Sequence, residues 1–275
     1  MAAEITGADV EELTLESFEV VLDAFHAHKV IAIRDQHLSP AAQIAFSRRF
    51  GALEDQLNAH YTVSGYPEVL VLSNDIRGGK PVGLVDGGDY WHSDSSHRDF
   101  PSMATILFAV RNPATGGDTE FGDMIAAHEA LPDDMKRRIA PLNGIHAVSK
   151  LKNKRARISP RRADGKDFYE RQKAIPDQIW PLVRTHPVTG QKALYLSPRF
   201  TIGIQGMNEA EADEILDMLF AHQVRPEFVY RHKWRDGDLV MWDNRCVIHR
   251  ATGGFAYPEV RTMHRTVVAG NRPFR

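Results

Sequence analysis

The sequence predicts an α+β fold with a jelly-roll core and flanking helices, on three observations. Short segments rich in β-branched and aromatic residues recur from residue 69 to residue 269, punctuated by Gly, Pro, Asn and Asp. Helical periodicity interrupts them only twice. The first fifty residues instead carry a helix–strand–helix pattern of the kind that packs on a sheet.

Leu15, Phe18, Val21, Leu22 and Phe25 recur at helical spacing, and the apolar run Val30-Ile31-Ala32-Ile33 follows as a buried strand. Ser39-Pro40 sets a cap before a proline at the first helical position, opening a helix through Ile44, Phe46 and Phe50 that Gly51 can end. Strands are expected over 69–72, 104–110, 182–185, 193–196, 228–232, 238–242 and 262–269. A helix is expected over 123–140, broken at Pro132, and another over 208–223 with Asn208 as its N-cap. Many short strands with helical excursions favour a sandwich over a parallel sheet.

The chain has 275 residues, 43% hydrophobic and 25% charged, enough for a sizeable core. No repeat or long linker appears, so 1–275 is read as one catalytic domain with a helical N-terminal portion (about 1–55). Segment 149–178 is polar, and Lys150, Lys152, Lys154, Arg155, Arg157, Arg161 and Arg162 precede its first acid, Asp164. Such a run is a solvated surface loop or a lid over an anionic site. A net charge of −2 gives no global field for nucleic acid or an anionic membrane, and no membrane partner is expected. A lone cysteine, Cys246, suits a reducing compartment, and the N-terminus lacks a basic-then-apolar leader, so the expected location is cytoplasmic. Cys246 itself is expected to be a buried small apolar residue.

The chemistry concentrates at Tyr90-Trp91-His92-Ser93-Asp94 and Trp242-Asp243-Asn244-Arg245-Cys246-Val247-Ile248-His249. Two histidines and a carboxylate in this order match the facial triad that holds non-haem Fe(II) with positions open. On an extended segment, His92 and Asp94 point to one face because side-chain direction repeats every two residues. A lone His-x-Asp is a weak signal, and His97-Arg98-Asp99 repeats it five residues later. The tight exit from Gly87-Gly88-Asp89-Tyr90 favours the first pair, whereas Asp99 leads into Phe100-Pro101. His249 is the leading third ligand, with His264 and His232 as fallbacks. Asp243 and Asn244 are expected to orient His249, and His186, before Pro187, to sit in a turn.

The ordered set of motifs resembles the taurine dioxygenase and 2,4-dichlorophenoxyacetate dioxygenase family of Fe(II)/2-oxoglutarate-dependent enzymes. The resemblance rests on Trp91-His92-Ser93-Asp94-Ser95-Ser96, Gly116-Gly117-Asp118-Thr119-Glu120-Phe121, Arg184-Thr185-His186-Pro187, Trp242-Asp243-Asn244-Arg245 with His249, and Arg261-Thr262-Met263-His264-Arg265. It implies a double-stranded β-helix, cupin-like core and iron ligands His92, Asp94 and His249. It also implies that Thr119 and Arg261 hold the far carboxylate of 2-oxoglutarate and that Arg265 meets the prime substrate. Arginine's planar, permanently charged fork suits carboxylates. The implied cosubstrates are 2-oxoglutarate and O2, and the implied outcome is hydroxylation of a small anionic substrate with release of succinate and CO2. A carboxylate at Asp94, where related halogenases have a small non-ligating residue, argues for hydroxylation over chlorination.

Leu194-Tyr195-Leu196-Ser197 and the run from Pro226 to Trp234 look closer to the aryloxyalkanoate-cleaving branch, with Tyr61, Tyr90 and Phe200 as candidate aromatic lining. Rival readings are the same cofactor chemistry with desaturation or cyclisation of an amino-acid-derived substrate, a zinc hydrolase, a nucleic-acid demethylating oxygenase and a non-catalytic binding protein. Family members are commonly homo-oligomers, so that state is expected here.

Overall fold

The computed structural model describes residues 1–55, 59–85, 88–149, 152–155, 170 and 172–275. Helix α1 (Leu15–His28) begins where the Thr14 hydroxyl accepts from the Ser17 N–H, and ends at Lys29, whose left-handed backbone closes it onto the Phe25 carbonyl. Helix α2 (Pro40–Arg48) is capped by Ser39, with Pro40 in the first turn where no N–H is missed. The helix expected over 123–140 is two helices, α3 (Met124–Glu129) and α4 (Asp133–Ile139), because Pro132 sits at the cap of the second. Asn208 caps α5 (Glu209–His222) as expected.

The strands, in chain order, begin with β1 (Ala2–Ile5), β2 (Val30–Ile33), β3 (Thr62–Val63), β4 (Tyr66–Ser73), β5 (Ile76–Arg77) and β6 (Lys80–Pro81). They continue with β7 (Ala104–Arg111), β8 (Thr119–Asp123), β9 (Asn143–His146), β10 (Gln178–Pro181), β11 (Val183–Thr185) and β12 (Lys192–Leu194). The last are β13 (Thr201–Ile204), β14 (Val229–His232), β15 (Leu239–Asp243), β16 (Val247–Ala251) and β17 (Thr262–Val268). The fold is mixed α+β, with a large sheet ordered β1-β2-β15-β7-β17-β4-β3 and a smaller antiparallel sheet β14-β8-β16. Smaller ladders pair β10-β9-β13, β11-β12 and β5-β6. The N-terminal β1 and β2 pair in parallel and extend the large sheet through β15.

Period-two alternation divides the large sheet's side chains between two cores. Ile31, Ile33, Ile106, Phe108, Leu239 and Met241 pack on one side with Val21 and Phe25 of α1 and Phe46 of α2. Their neighbours Val30, Ala32, Leu107, Ala109, Val240 and Trp242 pack on the other side with Phe121 of β8 and Val247 and Ile248 of β16. Phe121 meets Trp242 with ring centroids 5.3 Å apart. This second interior, between the large and small sheets, contains the chemistry.

Candidate metal centre

His92 and His249 are held opposite each other by backbone rather than by side-chain packing alone. The His92 N–H donates to the His249 carbonyl at 3.0 Å and the His249 N–H to the His92 carbonyl at 2.7 Å, an isolated antiparallel bridge joining the loop before β7 to β16. Their rings stand 4.2 Å apart. Asp94, two residues on, shares the His92 face, and the chain then turns at Ser95 (φ 57°). His92 Nε2 lies 3.4 Å from Asp94 Oδ1, and His249 Nε2 4.0 Å from Asp94 Oδ2. Donor atoms of all three residues lie within 4.8 Å of one another.

The donor set fits a divalent transition metal. The Tyr90 carbonyl, 2.9 Å from His92 Nδ1, can only accept, so Nδ1 carries the proton and Nε2 keeps its lone pair for an ion. Burial favours the neutral, ligating form of His249, lowering its pKa to about 3, with His92 adding to the effect and Asp94 opposing it. Burial alone would raise the Asp94 carboxyl, but the neighbouring His249, His92 and Arg265 together hold it well below the usual range. Asp94 Oδ2 also accepts from the Thr105 hydroxyl at 2.6 Å.

Asn244 braces Asp94, not His249 as the sequence suggested. Its Oδ1 accepts from the Asp94 N–H and the Trp242 indole, and its Nδ2 donates to Thr105. Asp243 points elsewhere, accepting from Arg245 at 2.6 Å and from His186 Nε2 at 2.9 Å. His186 sits in a turn, its Nδ1 accepting from the Thr189 N–H. His186, Asp243 and Cys246 also cluster, but hydrogen bonds already engage the first two and Cys246 is a buried thiol. The decoy comes apart: Asp99 pairs with Arg272 at the surface, while His97 lines the cavity. Among the fallback ligands, His232 is engaged by Asp238 and Tyr230. His264 alternates with Met263 and Arg265 along β17 and so faces away from the cavity.

The three residues open into a cavity of about 260 Å³ that also takes in Thr119, Arg261 and Arg265. Thr119 lies on β8 and its hydroxyl oxygen accepts from the Trp234 indole at 3.0 Å, leaving its own proton free to donate. The Arg261 guanidinium stands 5.6 Å from the Trp234 ring, so one indole supports both residues. Burial pulls the Arg261 pKa down to about 10, only partly opposed by Asp118, which is itself paired with Arg231. Among the described residues neither Arg261 nor Arg265 has a carboxylate partner, and the Nε atom of each is buried without a hydrogen bond. Two such cations beside a metal-type triad could receive anions.

Of the aromatic residues proposed from sequence, Tyr90 and Phe200 line the cavity and Tyr61 does not. Of the basic run, Lys152 pairs with Asp177, Lys154 with Glu209 and Asp213, and Arg155 with Asp213 and Asp217. Lys150, Arg157, Arg161 and Arg162 lie outside the described residues. Sequence reasoning missed Thr105 and Arg199, gave Trp234 no part in the site, and took His97 only as half of the decoy motif, although His97 and Arg199 line the cavity.

A family model described as taurine catabolism dioxygenase TauD, TfdA family matches residues 1–267. The chain belongs to that family and is an oxidoreductase. It is 40% identical over 233 residues to the alpha-ketoglutarate-dependent 2,4-dichlorophenoxyacetate dioxygenase of Cupriavidus pinatubonensis, covering 80% of this chain and 78% of that protein. To the (S)-phenoxypropionate/alpha-ketoglutarate-dioxygenase of Sphingobium herbicidovorans it is 32% identical over 269 residues, covering 98% and 92%. The crystal structure of AAD-2 in complex with Mn(II) and N-oxalylglycine superposes with a TM-score of 0.81 at 33% identity, covering 100% of this chain and 97% of that one.

Proposed function

We propose that His92, Asp94 and His249 hold Fe(II) in this enzyme, that Thr119 and Arg261 bind the far carboxylate of 2-oxoglutarate, and that Arg265 meets the substrate's anionic group. The enzyme is an Fe(II)/2-oxoglutarate-dependent dioxygenase that hydroxylates small carboxylates or sulfonates, aryloxyalkanoates among them. The observation that carries the site assignment is the convergence of three ligating atoms within 4.8 Å on a cavity whose Arg261 and Arg265 keep buried Nε atoms without a hydrogen bond. Bound Fe(II), 2-oxoglutarate and O2 supply the oxidising power, with succinate and CO2 formed as a substrate C–H bond is oxidised.

The chain's own residues set the geometry. Tyr90 fixes the His92 tautomer, Thr105 and Asn244 steer Asp94, and the backbone bridge fixes the spacing of the two imidazoles. Thr119 donates to a carboxylate oxygen while Arg261 supplies its fork, which orients the keto acid toward the metal. Arg265, four residues along from Arg261, fixes which part of the substrate lies near the ligands.

The two sheets sharing one interior support a double-stranded β-helix, jelly-roll core in a single domain over 1–275. The lid expected over 149–178 lies mostly outside the described residues; of those described, Asn153 donates to the Pro198 and Arg199 carbonyls beside the cavity. We place the enzyme in the cytoplasm as a homo-oligomer that engages neither nucleic acid nor membrane. Among the described residues no helix is long and apolar enough to cross a bilayer.

Anaerobic addition of Fe(II) and then 2-oxoglutarate tests the reading. A visible metal-to-ligand charge-transfer band is expected, and His92→Ala and Asp94→Ala should lose it together with substrate-dependent succinate formation. Retained turnover in either variant refutes the ligand assignment, and tight zinc binding without the band would favour a hydrolase.

A further inference from the structure

Three guanidinium groups line the cavity without a carboxylate partner among the described residues: Arg199, Arg261 and Arg265. A fourth, Arg98, is paired with Glu54 at 2.6 Å. Arg199 is the most enclosed, at 6% exposure. Its Nη2 donates to the Val148 carbonyl at 2.8 Å, and its Nη1 has no partner. The group is fixed in place, 4.4 Å from the Phe200 ring centroid and 5.5 Å from that of Tyr90. The His97 ring lies 4.7 Å from the same Phe200, tilted by 35°, and its Nδ1 is also buried without a partner. Burial lowers the His97 pKa to about 3 and Arg199 adds to the effect, so the imidazole is neutral and does not compete for an anion.

A buried charge without a partner is costly, and a polar wall held this firmly is suited to a ligand. Under the site assignment proposed above, on which this inference rests, Fe(II) and Arg261 are balanced by Asp94 and the two carboxylates of 2-oxoglutarate. Glu54 balances Arg98, and Asp55 at the rim is exposed to solvent. Among the described residues Arg199 and Arg265 are left without a carboxylate paired to them. We propose that the prime substrate is an organic dianion, with one acidic group held by Arg265 near the metal ligands and a second held by Arg199 against Phe200 and His97. Arg199 is then a specificity-determining residue, separating dianions from the monoanions of similar shape that Arg265 alone would accept.

The test uses the anaerobic Fe(II)/2-oxoglutarate holoenzyme and isothermal calorimetry with phenoxyacetate and its 2-, 3- and 4-carboxy derivatives, which supply a second charge at three spacings. At least one carboxy derivative should bind ten-fold or more tightly than phenoxyacetate. Arg199→Gln should cut that preference to two-fold or less, and Arg199→Lys should keep part of it. The affinity for 2-oxoglutarate should be unchanged in both variants. The inference is overturned if no carboxy derivative binds more tightly than phenoxyacetate to the wild type, or if the preference survives Arg199→Gln. Should the Gln variant fail to fold, the wild-type comparison decides alone. Loss of the charge-transfer band in the wild type would instead count against the iron and 2-oxoglutarate site itself, so the two failures are distinct.

Discussion

Arg261→Gln separates a cosubstrate-binding arginine from a structural one. In the wild type the guanidinium is buried, stands over Trp234 and has no carboxylate partner among the described residues. Hydrogen bonds to a charged group contribute about 1.5–3 kcal/mol. With about 1.4 kcal/mol per factor of ten, replacing the fork by a neutral amide should weaken 2-oxoglutarate roughly 10- to 150-fold. Anaerobic titration of the charge-transfer band reads this directly, and iron affinity should not change because Arg261 is not among the three ligating residues. Thermal stability moves the other way. An unpaired buried charge is unfavourable in the absence of its ligand, so the apo variant should melt no lower than wild type. A change in 2-oxoglutarate affinity below three-fold, or a variant that melts well below wild type, would show that Arg261 serves the fold and not the cosubstrate.

Thr105→Val removes the 2.6 Å hydrogen bond to Asp94 Oδ2 with little change of volume, and iron affinity by equilibrium dialysis should fall about 10- to 100-fold; an unchanged value would leave Asp94 positioned by other contacts. Gly117→Ala would place a Cβ 3.2 Å from Arg261 Cδ at φ +73°, so 2-oxoglutarate should bind several-fold more weakly while iron binding is preserved. Away from the iron site, burial alone would raise Asp243, but Arg245 and His186 outweigh it and hold the carboxyl far below its usual value. A depressed carboxylate contributes stability above its unfolded pKa of about 3.9 and loses it as pH falls toward the folded value. Breaking such a buried pair costs about 3–5 kcal/mol, so Asp243→Asn should lower the apo melting temperature by on the order of 10 °C at neutral pH. That gap should shrink as pH drops below about 3.9, and a gap constant from pH 7 to pH 2 would rule the linkage out.

The candidate metal triad was legible because two one-dimensional rules met there. Alternation along an extended chain put His92 and Asp94 on one face, and the motif's order with the later segments singled out His249 over the fallback histidines. The same rules read β4, β7, β15 and β17, whose β-branched and apolar runs are long enough to show. They did not read β8, where Glu120, Gly122 and Asp123 are poor strand formers, although Thr119 depends on that strand for its place. Its pairing with β14 and β16 overrides local preference.

The misassigned braces have a common cause. Asn244 and Asp243 are adjacent in sequence and precede His249 closely, which suggested a joint role. In the fold they diverge: Asn244 turns inward to Thr105 and Asp94, whereas Asp243 turns to Arg245 and His186. Contacts of this kind join residues far apart in the chain, as with Trp234 and Thr119, and the backbone carbonyl of Tyr90 has no side-chain signature at all. What motif order conveyed is therefore the part of the site proposed to hold iron and keto acid. Under the dianion inference, what decides the substrate is the packing of a wall with no motif. There Arg199 is pinned against Phe200 and Tyr90 and keeps a charge that none of the described residues neutralises. A side chain fixed by packing and left without a counter-ion constrains the ligand's charge more tightly than its shape, because a cavity can relax around a ring but cannot screen a buried guanidinium.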